Sequence, residues 1–339
     1  QGLGVVGLVA YCAGWARRDP AQHTSPPRDV EAYAAFVHRA VSRYKGRIRY
    51  WEIWNEPDSR VFWPPKPDPA EYAALLKAAY AAAKRADPDC IVMTAGLLVG
   101  MNHWLQWDYL DKLYAQGAAD AFDRIAWHAY CDPKSPVDGR YESLTATLFE
   151  RMSAHGDSGK RAWLTEQGWP TANGFQRAVS ERDQAAYAVQ AHVLALSNPS
   201  VEKFFWFLFR DGANRETDGE QSYGILNPDG TPKLAFSAYV AMTARLMGKT
   251  PVPPVALSGT SICRVFGDAQ ETVFVIWNSG GRRCALPEAL AGEGASFFDV
   301  YGNPIAFEAA RDLDADVRYL VVPAARADAL RAVLSTGLE

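Results

Sequence analysis

Apolar and polar positions along the chain alternate between two periods. Short β-rich runs, nearly continuous in apolar residues, occur at Leu3–Tyr11, Arg49–Asn55, Ile91–Leu97, Arg124–Tyr130, Arg161–Gly168 and Lys203–Arg210. After each comes an Ala-rich stretch with helical spacing: Glu31–Tyr44, Pro69–Ala86, Trp104–Gln116, Tyr141–His155, Glu181–Ser197 and Lys233–Met247. Strands that alternate with helices imply parallel strands joined by crossovers. A run such as Phe204–Phe209 suits a sheet covered on both faces. The fold class this predicts is α/β, a (β/α)8 TIM barrel of which about six βα units are visible, whereas closure takes about eight. A smaller domain follows the sixth helix, so the first two strands are expected to lie upstream of Gln1.

The pattern changes near Thr250. Ser261–Phe266 and Glu271–Trp277 read as a hairpin around Gly267-Asp268. Ser296–Val300 and Ile305–Glu308 read as a second, around Tyr301-Gly302-Asn303-Pro304, and Val317–Val322 as a last strand. The expected division is a barrel domain at 1–249, incomplete at its N-terminal side, and a sandwich-like antiparallel β domain at 250–339.

Composition narrows the function classes. A chain of 339 residues with 48% hydrophobic and 22% charged residues suits a globular protein of one large and one small domain. A net charge of −4 argues against a nucleic-acid partner, and no apolar run is long enough for a membrane span. Five scattered cysteines without a CxxC pair argue against a disulfide framework or a zinc site. No signal-peptide pattern is present, and the chain opens in an apolar run without an initiator Met. The eleven tryptophans crowd the segments that carry the motifs. Their rings can stack on the C–H faces of sugars, although some, such as Trp51, are expected to fill core.

The chemistry concentrates at strand ends. Trp51-Glu52-Ile53-Trp54-Asn55-Glu56-Pro57 closes the second strand, and alternation puts Glu52, Trp54 and Glu56 on one face. Trp163-Leu164-Thr165-Glu166-Gln167-Gly168-Trp169-Pro170 closes the fifth, three units later. Both Glu56 and Glu166 would therefore project over the C-terminal mouth of the barrel, where catalytic groups of this fold sit. Two facing carboxylates meet the demands of glycoside hydrolysis, one protonated to expel the leaving oxygen and one ionised to attack or to activate water. Sequence alone leaves retention and inversion open. His128 and Tyr130 end the strand between them and share a face. Trp206, in Phe204-Phe205-Trp206-Phe207, is either a sugar platform or barrel filling. Trp63, Trp104 and Trp107 fall in or near loops on the same side and hint at an extended cleft. Other signals fail: Gly2-Leu3-Gly4-Val5-Val6-Gly7 matches GxGxxG but precedes a strand instead of opening a helix. Neither HExxH nor GxSxG occurs.

"RYWEIWNEPD" and the following "FWPPKPDPAEYAALLKAAYAAAKRADPDC" resemble glycoside hydrolase family 39 of clan A, nearest its bacterial exopolysaccharide-hydrolase branch. "DRIAWHAY", "AWLTEQGW" and "YGILNPDGTPKLAFSAY" continue the likeness in order, over about residues 4 to 245. The resemblance implies that Glu56 is the acid/base and Glu166 the nucleophile of a retaining double displacement. It implies that Asn55 binds the 2-hydroxyl of the sugar being cleaved, that Tyr130 hydrogen-bonds Glu166, and that His128 lines the same subsite. Trp206 would floor the pocket, Trp15 in "AGWA" would border it, and Trp169 would join the substrate-binding set. No cofactor or metal is implied, and a secreted or periplasmic location is.

The family pattern starts with two further strands, the second supplying an Arg beside the nucleophile, and no residue here matches it. Either the chain is part of a longer product or another element closes the barrel, and closure in trans would make a homo-oligomer. The leading expectation is an endo-acting hydrolase of a bacterial exopolysaccharide. An exo-acting β-xylosidase or β-glucosidase comes next and an α-L-iduronidase-like activity third. A non-catalytic carbohydrate-binding protein is the alternative of another class.

Overall fold

The structure, a computed structural model, describes residues 2–100, 107–257, 259–280, 284–292 and 294–336. Six parallel strands form one sheet in chain order: β1 (Val6–Val9), β2 (Tyr50–Ile53), β3 (Ile91–Met93), β4 (Arg124–His128), β5 (Arg161–Gln167) and β6 (Val201–Trp206). The connections carry α1 (Val30–Tyr44), α2 (Pro69–Ala86), α3 (Asp108–Ala115), α4 (Tyr141–Ala154) and α5 (Glu181–Leu196), and α6 (Leu234–Leu246) follows β6. Helix starts are written into the sequence. Asp68 accepts from the N–H groups of Ala70 and Glu71, with Pro69 in the first turn of α2; Asp29 and Ser180 cap α1 and α5 the same way. The small buried residues Ala79, Ala82 and Ala83 of α2 let α1 approach, and His38 Nδ1 comes within 3.1 Å of the Ala82 carbonyl.

The described sheet is an open arc of six strands with β1 and β6 at its edges, barrel-like in order and direction but without the eight strands of a closed barrel. Leu8 on β1 is accordingly 47% exposed. β1 is shorter than its apolar run because pairing with β2 spans only Val6 to Val9. Inside the arc, Met93, Ala126 and Trp163 pack with Val6, Tyr50 and Phe205.

Packing groups the chain into two compact units that interleave in sequence. One comprises Gln1–Tyr130, Ser143–Gln167 and Ser200–Phe205; the other comprises Cys131–Glu142, Gly168–Pro199 and Trp206–Glu339. The expected boundary at 249/250 falls inside the second unit, where the Arg245 guanidinium lies 3.4 Å over the Phe298 ring.

The rest of the second unit is built on β7 (Thr250–Val255), β8 (Ser261–Gly267), β9 (Glu271–Asn278), β10 (Cys284–Ala285), β11 (Ser296–Phe298), β12 (Pro304–Ile305), β13 (Asp312–Leu313) and β14 (Arg318–Pro323). Six of these make an antiparallel sheet in the order β12-β11-β14-β9-β8-β7, and β10 pairs with β13. The expected sandwich is not what covers this sheet. Its apolar residues, among them Val265, Phe274, Ile276 and Leu320, pack with Leu286 and Leu290, with Phe307 and Ala310 of α7 (Phe307–Arg311), and with Leu330 and Leu334 of α8 (Ala327–Ser335). Phe307 therefore opens a helix where Ile305–Glu308 read as a strand. β7 was hidden by Pro251, Pro253 and Pro254. It is an edge strand, where missing N–H donors are tolerated, and its register with β8 shifts between Val252 and Val255.

Candidate functional site

The polar cluster of the first unit is assembled at the ends of β2, β4 and β5. β2 stops at Ile53, and then Trp54 (φ 72°) and Glu56 (φ 44°) both take left-handed conformations that cost L-residues energy. The strain is held from both sides. Trp54 is fully buried against Tyr11, Tyr33 and Trp63, with its indole N–H on the Phe62 carbonyl at 3.0 Å. The Glu56 N–H bonds the Gly96 carbonyl at 3.1 Å. The break in alternation corrects the expected common face: Glu52 and Glu56 enter one polar cluster, while Trp54 packs among aromatics that include Tyr33 of α1.

β4 carries a register irregularity between Trp127 and His128 that sets His128 opposite Glu166. His128 Nδ1 lies 2.7 Å from Glu56 Oε1 and 3.7 Å from Glu166 Oε2. Its Nε2 lies 3.1 Å from the Thr165 hydroxyl, which donates to Glu52 Oε1 at 3.1 Å. Glu52 Oε1 also accepts from the Gly96 N–H at 2.8 Å. Tyr130 donates to Glu166 Oε2 at 3.0 Å, as expected of it. Asn55 donates through Nδ2 to the Tyr11 hydroxyl at 3.2 Å. Glu56 is buried, whereas the Glu166 side chain is 24% exposed.

Donor atoms of Glu56, His128 and Glu166 all lie within 4.8 Å of one another. A divalent cation could be spanned at that spacing, but ligands sharing a metal at about 2.1 Å each stand about 3 Å apart. The 2.7 Å contact between Nδ1 and Oε1 is that of a charge-assisted hydrogen bond. The geometry therefore favours a proton between His128 and Glu56. Among the described residues, the basic group beside Glu166 is this imidazole, 3.7 Å from Oε2.

Burial works against the charge on His128, but Glu166, the hydrogen bond to Glu56 and the charges of Glu56 and Glu52 outweigh it and raise its pKa to about 9. Burial is also the main cause that raises Glu52 to about 7, and Asp58 to about 7 with help from Glu56. Glu166 is raised by burial and by Glu56, against His128 and the Tyr130 hydrogen bond, which lower it. Desolvation and the charge of Glu56 keep the Tyr11 phenol neutral, as a donor.

Folding thus raises the proton affinity of this cluster, and stability should follow. The contribution of His128 is complete below its ordinary value of 6.5 and lost as pH rises to about 9. Those of Glu52 and Asp58 fade from their ordinary values of 4.5 and 3.8 up to about 7. His192, pushed down to about 4 by burial, acts oppositely and weakens the fold below 6.5. The melting temperature is expected to fall by several degrees between pH 6.5 and 9; a Tm that is flat or rising across that window would contradict the charge assignment.

Gly96 is fixed by contact: a Cβ there would lie 1.9 Å from His128 Nε2. Gly96→Ala must push the imidazole off Glu56, Thr165 or both. We expect a loss of about 1–3 kcal/mol in stability, and loss of the downfield Nδ1 proton signal of His128 by NMR. A retained signal would show that the ring had not moved.

The remaining expected residues are placed differently. Trp15 is 75% exposed on a turn at Gly14–Ala16. Trp63 is buried between Trp54 and Tyr72, so it lines no cleft. Trp104 lies outside the described residues, and Trp107 sits under the Arg151 guanidinium at 5.6 Å. In the second unit Trp169 is fully buried, donates to the Lys134 carbonyl at 2.8 Å and stacks on Trp206 with centroids 5.8 Å apart. Its enclosed ring has no free face for a sugar. Trp206, half-buried, donates to the Tyr223 carbonyl at 2.9 Å. Tyr11, Thr165 and Gly96 were not anticipated. Tyr11 could have been, since it follows β1 at a strand end as His128 and Glu166 do.

No protein-family model matches this sequence. Several solved structures share the fold. A family 39 glycoside hydrolase from Bacteroides cellulosilyticus WH2 aligns with a TM-score of 0.70 at 21% identity, over 87% of this chain and 63% of that one. A glucosidase from Croceicoccus marinus aligns with a TM-score of 0.63 at 18% identity, over 92% and 65%. A β-xylosidase of glycoside hydrolase family 39 from Caulobacter crescentus gives 0.54 at 17%, over 87% and 71%. The chain thus spans less than two thirds of the first two proteins' lengths.

Proposed function

We propose that this protein is a retaining β-glycoside hydrolase, with Glu166 as nucleophile and Glu56 as acid/base. The observation that carries the reading is the approach of two strand-end carboxylates to within 4.8 Å, joined by His128 and with Tyr130 on Glu166. Retaining enzymes hold their carboxyl groups about 5–5.5 Å apart, and inverting ones leave room for a water at about 6.5–9.5 Å. The names of the structural neighbours support the same class.

In the first step a Glu166 oxygen attacks the anomeric carbon as the glycosidic C–O bond breaks, and Glu56 gives its proton to the departing oxygen. Tyr130 occupies Oε2 of Glu166 and so leaves Oε1 for the attack. In the second step Glu56, now a carboxylate, takes a proton from water. The water oxygen bonds to the anomeric carbon and Glu166 leaves. Asn55 uses its N–H on Tyr11, which frees Oδ1 to accept from the sugar 2-hydroxyl. Trp15, exposed on its turn in the same unit, is assigned the rim.

For the substrate we favour an internal linkage of a bacterial exopolysaccharide, on the likeness of the motif text. An exo-acting β-xylosidase or β-glucosidase is the second reading, favoured by neighbours named as a glucosidase and a β-xylosidase and by the burial of Trp63 away from the supposed cleft. Proton NMR of a digested aryl β-glycoside tests the mechanism, because the first sugar released should be the β anomer. An α anomer would overturn retention, and binding of a β-glycan without turnover of any glycoside would favour a carbohydrate-binding protein.

A further inference from the structure

Glu52 is a buried glutamate with no lysine or arginine paired to it among the described residues. Its contacts run in one direction: Oε1 takes the Gly96 N–H at 2.8 Å and the Thr165 hydroxyl at 3.1 Å. Because Thr165 spends its proton on Glu52, its oxygen can only accept from His128 Nε2, 3.1 Å away. That fixes a proton on Nε2 and turns Nδ1 toward Glu56 at 2.7 Å. Two states of this chain then differ only in where one proton sits. With the proton on Glu56, His128 is neutral; with the proton on Nδ1, His128 is an imidazolium and Glu56 a carboxylate. Thr165 and Glu52 keep the same hydrogen bonds in both.

We propose that Glu52 is a positioning residue which, through Thr165 and His128, holds the proton shared between His128 and Glu56 and sets the pH at which the pair loses it. The proposal rests on the reading of Glu56 as acid/base. Ionised Glu52, 4.0 Å from Nε2, favours the imidazolium state. The other charged or titratable neighbours are accounted for. His128 also faces Glu56, Glu166, Asp58 and the Tyr130 ring. Glu52 also faces Glu166 and the Tyr72 phenol. Glu56 also faces Glu166, Tyr11 and Asp58. Of these, Glu52 is the group tied to Nε2 through a hydroxyl, on the far side of the ring from Glu56.

Glu52→Gln is a clean probe, because a Gln oxygen can still accept from Gly96 and Thr165 while the charge is removed. The experiment is a nitrogen-15 NMR titration of His128, assigned with His128→Gln, in wild type, Glu52→Gln, Thr165→Ser and Thr165→Val. It is paired with kcat/KM against pH for aryl β-glycosides of poor and good leaving groups. The His128 midpoint should fall by about one pH unit or more in Glu52→Gln and Thr165→Val, and Thr165→Ser should restore it. The basic limb of kcat/KM should move down with it. The loss should be about tenfold or more for poor leaving groups near neutral pH, and smaller for good ones. An unmoved midpoint in folded Glu52→Gln overturns the proposal, as does an equal loss on all substrates with the limb in place. A midpoint that moves while the wild type cleaves no glycoside supports the coupling and overturns the acid/base reading instead.

Discussion

Replacing Glu166 with glutamine is expected to lower kcat for every β-glycoside the wild-type protein cleaves by about 10⁴-fold or more. The amide is nearly isosteric, and its oxygen can still accept from Tyr130, so fold and substrate affinity should survive. An amide oxygen is a far weaker nucleophile than a carboxylate, and a neutral group gives no electrostatic help to an oxocarbenium-like transition state. The loss should therefore appear in kcat and be indifferent to the leaving group. A variant that retains wild-type rates on any glycoside would remove Glu166 from the chemistry.

Replacing Glu56 with glutamine should give the opposite signature. Proton donation by a positioned acid contributes typically about 10²–10⁴-fold, and only when the departing oxygen needs the proton. Alkyl glycosides and sugars should lose activity in that range. Dinitrophenyl glycosides should form the glycosyl-enzyme almost as fast as wild type and then turn over slowly, because the base that activates water is gone. A burst of dinitrophenol followed by a slow steady state is the measurement. Equal losses across leaving groups would assign Glu56 a structural role.

Helix boundaries were largely legible because their causes are local. The bounds of α2 were read correctly since Asp68, Pro69 and the apolar period all lie within the segment. The carboxylate pair was legible for a related reason: each acid follows an apolar run, and a strand end is where such a run stops. What joins them was not. Glu52, Gly96, His128 and Thr165 meet only through the register of β2 to β5, set by residues 32 to 113 positions apart. Period-two alternation also failed locally, because the positive φ at Trp54 and Glu56 follows from burial of the Trp54 ring and the bond to Gly96. Tryptophan count misled where enclosure mattered. Trp63 and Trp169 look in sequence like Trp15, yet both are buried while Trp15 is 75% exposed. The antiparallel sheet was half read. β8, β9 and β14 show strand patterning, but α7 and α8 supply the cover a second sheet was expected to give.

The central claim is that Glu166 forms a covalent bond to the anomeric carbon. Incubation with a 2-deoxy-2-fluoro β-glycoside bearing a good leaving group, followed by proteolysis and mass spectrometry, tests it most directly. The account predicts time-dependent inactivation, with one fluorosugar on Glu166 in the segment Ala162-Trp163-Leu164-Thr165-Glu166-Gln167. A label on Glu56, Glu52 or any other side chain would contradict it, as would turnover of glycosides without any labelled protein.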